Sequence, residues 1–299
     1  MEEAVEMKCW DELVPDVLGL IFSKLTFLEV LIVIPMVCKS WGKAVSGPYC
    51  WQEIDIKKWS LQCRRPEHVD RMLRMLITRS SGCLRKLSVS SLSNDSIFSF
   101  IADHAGFLQT LRLPRSKISD CIVEQVAEKL STITYLDVSH CTNIGARSLE
   151  AIGKNCKSLV ELRRVMKPAE MEHSKLFQDD EAHAIATTMP KLKKLEVSNL
   201  LLTTVGVVEI LLNCQELEFL DIRGCWYVML DDKFLKEKCS FGLKVLGPDF
   251  IDCHGLVRNV RREVSQREAL WEFRRMLQGL MGSAYSDSTA YLAWGLMAV

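Results

Sequence analysis

A six-residue pattern, apolar-x-x-apolar-x-apolar, recurs along the chain and constrains its fold more than any other feature. It reads LRKLSV from Leu84, LQTLRL from Leu108, ITYLDV from Ile133, LKKLEV from Leu192 and LEFLDI from Leu217. A weaker copy, LVELRRV, begins at Leu159 and a truncated one, LKVL, at Leu243. The steps between first residues are 24, 25, 26, 33, 25 and 26. Alternation at the end of each copy predicts a short half-buried strand. Between copies stand helix-start signals: Ser119-Asp120 before IVEQVAEKL, Asn143 before IGARSLEAIGKNC, Asp179-Asp180 before EAHAIATTM, and Thr203-Thr204 before VGVVEILLNC. A short polar residue ahead of a 3.6-period apolar run is an N-cap. One strand and one helix per unit predicts a solenoid in which each unit buries its apolar face only against its neighbours.

These units resemble leucine-rich repeats of the longer, cysteine-containing kind. Cys141 and Cys225 match the Cys/Asn position, and Cys156 and Cys214 match the cysteine that closes the helix. Leu92, Ser116 and Leu200 stand at the first of those positions in other copies. The resemblance implies an α/β fold, with parallel strands on the concave side and helices on the convex side, over residues 84–253 in six to seven units. The non-consensus strand positions then face the concavity. They are Lys86 and Ser88, Thr110 and Arg112, Tyr135 and Asp137, Glu161 and Arg163, Lys194 and Glu196, and Phe219 and Asp221. Mixed charges with two aromatic rings suit a protein partner better than a phosphate backbone. For any single residue the alternative is a solvated strand face. The fourth interval is longer and contains residues 163–181 with Pro168, predicting either a loop at one rim or irregular packing.

Ahead of the repeats, residues 10–56 carry more apolar side chains than so small a unit can bury alone. Pro15 and Asp16 open a helix that is expected to hold Val17, Leu18, Ile21, Phe22 and Leu25 on one side. Thr26 and Glu29 have capping-box spacing for a second helix, which Pro35 ends or kinks. A third runs from about Met36 to Val45 and stops at Gly47-Pro48, before Trp51 and a short strand at Ile54 and Ile56. The layout resembles the F-box, on Leu13, Pro15, Leu18, Ile21, Phe22, Leu25, the run Val37-Cys38-Lys39-Ser40-Trp41, and Trp51. Val14 departs from it, separating a leucine and proline that are adjacent in many members. The resemblance to plant F-box proteins with leucine-rich repeats implies docking on a Skp-type adaptor, and through it on the cullin and RING subunits of an SCF ubiquitin ligase. It assigns that contact to Leu13, Pro15, Leu18, Ile21, Phe22, Leu25, Val37 and Trp41, and a target protein to the repeats. The expected role is a non-catalytic receptor for ubiquitination and proteasomal degradation. The alternatives are a repeat scaffold that directs no degradation and, for Val37, Trp41 and Trp51, a purely internal core role, toward which the two tryptophans lean.

The remaining segments are an acidic tail (1–9), a basic capping helix or linker (57–83) and a C-terminal capping helix with an apolar tail (254–299). Residues 57–86 hold nine Lys or Arg against Glu67 and Asp70. Overall, 38 basic residues balance 38 acidic ones, which argues against a dedicated nucleic-acid or membrane-surface protein. No apolar run approaches the ~18 residues of a spanning helix, and no secretory signal is readable, so a nuclear or cytoplasmic location is expected. The twelve cysteines contain no C-x-x-C, and the six histidines show no ligand or triad spacing. No metal and no cofactor are expected, and the thiols read as small buried apolar groups.

Overall fold

The computed structural model describes residues 10, 13–104, 106–167, 178–230 and 242–247. The acidic tail, the middle of the long fourth interval and the C-terminal capping helix lie outside the described residues. Eight three-residue strands form one all-parallel sheet in chain order. They are β1 (Glu53–Asp55), β2 (Lys86–Ser88), β3 (Thr110–Arg112), β4 (Tyr135–Asp137), β5 (Glu161–Arg163), β6 (Lys194–Glu196), β7 (Phe219–Asp221) and β8 (Lys244–Leu246). The sheet begins one strand before Leu84, because Ile54 pairs with Leu87. The F-box-like unit therefore feeds directly into the solenoid sheet.

The register is uniform. Leu87, Leu111, Leu136, Leu162, Leu195, Leu220 and Val245 align at the strand centres, and the leucines among them are buried. Period-two alternation then sends the first and third residue of every strand to the opposite face. Helices fill the other side: α3 (Lys57–Gln62), α4 (Pro66–Arg79), α5 (Asp95–Asp103), α6 (Asp120–Val126), α7 (Ala146–Asn155), α8 (Asp179–Thr188) and α9 (Thr204–Asn213). Two of them belong to the basic segment, where Val69, Leu73, Leu76 and Ile77 of α4 are buried.

Aspartates at helix starts tie successive units together. Asp95 accepts from the amide (2.9 Å) and hydroxyl (2.5 Å) of Ser119. Asp179 does the same to Thr203, at 2.8 and 2.6 Å. Asp120 reaches across to the Gly145 amide at 2.8 Å and to the Ser148 hydroxyl. That last bridge moves the start of α7 from the expected Asn143 to Ala146, since a neighbouring unit supplies the acceptor that an N-cap side chain would otherwise provide. Asn94 and Thr203 are conventional caps, accepting from the amides of Ile97 and Val205.

The thiols act as internal donors. Cys141 Sγ donates to the Leu113 carbonyl (3.2 Å), Cys225 to Val197 (3.3 Å), Cys156 to Leu130 (3.1 Å) and Cys214 to Met189 (3.5 Å). Burial pushes all four up, Cys141 and Cys214 to about 11 and Cys156 and Cys225 to about 12, so they stay protonated and able to donate.

The weak copy at Leu159 departs from the rest. Where other copies bury Val89, Leu113, Val138, Val197 or Ile222, this one buries Arg164. Its guanidinium donates to the carbonyls of Cys141 (2.9 Å) and Ile144 (2.7 Å) and to Glu181 at 3.1 and 3.2 Å. Gln178 also donates to Glu181, at 3.0 Å. The long interval is thus anchored at both ends by a buried ion pair.

Candidate functional site

The N-terminal unit is built from α1 (Pro15–Phe22) and α2 (Lys39–Ser46), joined by a π turn over Glu29–Val33 and a 3-10 turn over Ile34–Met36. Pro15 starts α1, where its missing N–H has no partner to lose. The capping box forms: Glu29 accepts from the Thr26 amide and hydroxyl, both at 2.8 Å. Pro35 lies inside the 3-10 turn, so the second helix changes pitch, and α2 begins only at Lys39. Cys38 caps it by accepting from the Trp41 amide at 3.5 Å.

The expected one-sided packing of α1 is corrected. Leu18 and Phe22 are buried, while Val17, Ile21 and, beyond the helix, Leu25 are exposed. Positions 18 and 22 are one turn apart and turn inward; 14, 17 and 21 are also about one turn apart and turn outward. Leu18 and Phe22 are therefore core supports rather than docking atoms. Trp51 is core too, with its indole N–H donating to Val45 O at 2.7 Å. Trp41 is half-buried, edge-on to Phe22 at 5.1 Å, and donates to Trp10 O at 3.2 Å. Leu13 is half-buried, whereas Pro15 and Val37 are exposed.

Twelve of the eighteen exposed large apolar side chains among the described residues fall between Trp10 and Tyr49. Leu20 is 70% exposed and Met36 83%. Val14, Leu28, Ile32 and Val33 join them, none of which the sequence reading had assigned to a contact. For Val14 and Leu20 a signal was available in their offset from the Leu18/Phe22 stripe; Leu28, Ile32, Val33 and Met36 lie beyond that helix, where its periodicity gives none. So many exposed apolar side chains on so small a unit exceed what scattered surface residues account for, and mark it as a candidate contact surface.

On the concave face the strands line up two ladders. One runs Glu53, Lys86, Thr110, Tyr135, Glu161, Lys194, Phe219, Lys244, and the other Asp55, Ser88, Arg112, Asp137, Arg163, Glu196, Asp221, Leu246. The twelve candidate positions, Lys86 to Asp221, are thereby brought onto one face in register. Lys86 pairs with Glu53 (2.7 Å), Arg163 with Glu196 (3.1 Å), and Lys194 with Glu196 (3.0 Å) and, more loosely, Glu161 (4.0 Å). Arg112 lies 4.7 Å over the Tyr135 ring and Lys194 5.6 Å over Phe219. Asp137 and Asp221 are almost fully buried and bound locally, to the Ser139 amide (3.0 Å) and to Arg223 (2.6 Å). Those two are braces, less accessible than the alternation suggested. Burial lifts the Asp221 carboxyl, but the hydrogen bonds from Arg223 outweigh that and hold it below the usual range. Burial, then the Asp137 charge, raises Tyr135 and keeps its phenol neutral. Among the described residues, no group of three or more His, Cys, Asp or Glu could hold a metal ion, and no helix is long and apolar enough to cross a membrane.

Residues 10–53 match the F-box domain. The F-box protein FBW2 of Arabidopsis thaliana is 52% identical over 294 residues, covering 98% of this chain and 87% of that protein. The putative F-box/LRR-repeat protein 23 of the same plant is 32% identical over 242 residues, 81% of this chain and 53% of its own. This chain belongs to the plant F-box proteins with leucine-rich repeats. A further member of the family, F-box protein SKIP19 of Arabidopsis thaliana, is 31% identical over 245 residues, 82% of this chain and 78% of that one. Among solved structures, a chain of the yeast Rad7 and Elc1 complex aligns with a TM-score of 0.44 and 17% identity, over 60% of this F-box protein and 44% of that chain.

Proposed function

We propose that this F-box protein is the target-recognition subunit of an SCF-type ubiquitin ligase. Its N-terminal unit docks on a Skp-type adaptor, and through it on the cullin and RING subunits, while the concave ladders hold a target for ubiquitination and degradation. The observation that carries the reading is the concentration of exposed apolar side chains on residues 10–49, next to a solenoid with an ordered polar face. Of the adaptor set inferred from resemblance, Pro15, Ile21, Leu25 and Val37 serve as contacts with Leu20 and Met36 added. Leu13 and Trp41 form the margin, and Leu18 and Phe22 hold the unit together from inside. The chain performs no chemistry of its own. It raises the effective concentration of target lysines beside the charged enzyme. The site of action is the nucleus, the cytoplasm or both.

The test follows target half-life. Deleting residues 1–56 would also remove β1, so point variants are preferable. Leu20→Asp combined with Met36→Asp should give a folded chain that still captures its targets while those targets persist longer after translation is blocked. Unchanged half-lives, with adaptor binding lost, would instead make the chain a scaffold that directs no degradation.

A further inference from the structure

Helices α3 and α4 start with the charge that a helix start disfavours. Lys57 and Lys58 open α3, whose first turn holds no acid, and Arg64 and Arg65 stand immediately before Pro66 of α4. A cation at a helix N-terminus opposes the macrodipole and destabilises the helix. The later helices follow the opposite rule, since α5, α6 and α8 carry aspartate in the first turn. Lys58, Arg64, Arg65 and Arg71 are exposed, and among the described residues none of the four pairs with a carboxylate. Nearby acids are engaged elsewhere, Glu53 with Lys86 (2.7 Å) and Asp70 with the Asn94 amide (2.8 Å). Glu67 alone on α4 cannot balance four cations. A local rule broken at two successive helix starts, with no compensating ion pair, marks residues that serve a partner rather than stability. This basic shelf borders the apolar patch of the N-terminal unit. Trp59 of α3 meets Phe27 edge-on at 5.9 Å, and Phe27 lies between Leu25 and Leu28, each 40% exposed. Leu61, also exposed, carries the apolar surface onto α3. The shelf lies wholly beyond the residues that match the F-box domain.

We propose that the α3–α4 shelf is a second, electrostatic contact for the Skp-type adaptor. An acidic surface of the adaptor, beside its apolar contact, faces Lys58, Arg64, Arg65 and Arg71, and these charges steer the encounter. The proposal rests on the receptor reading above and extends that interface outside the docking unit. An apolar centre bordered by unpaired charge is the anatomy of a protein interface, and charges at its rim act on the association rate and its salt dependence more than on dissociation. A nucleic acid is disfavoured, because the aromatic rings at the shelf are engaged. Trp59 is held against Phe27, and the Phe100 ring lies under the Arg74 guanidinium at 4.6 Å, so no base-stacking platform accompanies the charge.

The experiment measures association and dissociation rates of the full chain on immobilised Skp-type adaptor, at salt concentrations from about 50 to 500 mM. Arg64→Glu/Arg65→Glu/Arg71→Glu should associate about tenfold more slowly than wild type at the lowest salt, with the gap closing as salt rises and dissociation changing less than about twofold. The glutamine version of the triple variant should fall between the two. An equal charge change on later repeats, Lys129→Glu/Lys154→Glu/Lys191→Glu, should leave association within about twofold, which separates a local shelf from net charge. In thermal melts the shelf variant should be as stable as wild type or more so, because acids now meet the start of α4; a shelf that only supports the fold would melt lower. Association unchanged in the shelf variant, a loss confined to dissociation, or an equal loss in the later-repeat control would overturn the proposal. So would a single-stranded RNA oligonucleotide that binds wild type at about 150 mM salt and is released by the shelf variant. Wild-type chain that fails to bind the adaptor at any salt would instead sink the receptor reading, a result distinct from the rate comparison.

Discussion

Replacing Arg164 by valine, the residue that sibling repeats favour, should destabilise the protein although it makes the repeat look more regular. Arg164 is 1% exposed and Glu181 5% at the side chain. The substitution removes both hydrogen bonds to Glu181 and both to the Cys141 and Ile144 carbonyls, and leaves a buried carboxylate with only the Gln178 amide as a side-chain donor. Breaking a buried pair from one side costs about 3–5 kcal/mol. Removing the pair altogether costs much less. In Arg164→Val/Glu181→Leu the two carbonyl bonds are still lost, at about 1 kcal/mol each, but new apolar burial offsets them by about 1.5–3 kcal/mol. Equilibrium urea unfolding followed by far-UV circular dichroism should rank wild type and the double variant within about 2 kcal/mol, with the single variant well below both. A double variant as unstable as Arg164→Val, or a single variant within 1 kcal/mol of wild type, would refute the argument that an uncompensated buried charge is the dominant cost.

Three further predictions concern the solenoid. Gly153 on α7 lies where an added Cβ would meet the Thr188 hydroxyl and Met189 Cγ of the next unit, so Gly153→Val should cost at least about 1–3 kcal/mol in a thermal melt. The buried thiols carry a pH dependence. Their folded values of about 11–12 lie above the roughly 8.5–9 of an unfolded thiol, so between those limits the native state binds more protons than the unfolded one. Stability is therefore retained below about pH 8.5 and falls as pH rises toward 11–12; Cys156→Val with Cys225→Val should flatten that slope relative to wild type. In native chain at pH 7.5, iodoacetamide should label the exposed Cys83 and Cys121 well before Cys141, Cys156, Cys214 or Cys225.

The strand register was legible because one leucine per unit must occupy the same buried slot, and five clear copies leave little freedom for alternatives. β1 was not assigned to that sheet, since EID lies inside the N-terminal unit and outside the repeat frame. Its pairing becomes visible only when Ile54 falls beside Leu87. The start of α7 was misplaced for a tertiary reason, the cap coming from Asp120 one unit earlier. Arg164 stood in plain view in LVELRRV as an imperfection, and only the position of Glu181 shows what it binds. On the docking unit, composition revealed a surplus of apolar residues but not its sorting. Leu18 and Phe22 turned inward while Leu20 remained outside because only one side of α1 packs, against α2 and the turn Pro48–Trp51, and Met36 stayed outside on the turn that holds Pro35.

The central claim is that residues 10–49 are a docking surface supported by a core that can be perturbed separately. The most direct measurement is isothermal titration of purified Skp-type adaptor into the full chain, comparing wild type with Leu20→Asp/Met36→Asp and with Arg112→Gln. The account predicts a saturable complex for wild type and Arg112→Gln, and at least a hundredfold loss for the double aspartate variant with its circular dichroism spectrum unchanged. Wild-type affinity in that double variant would contradict it.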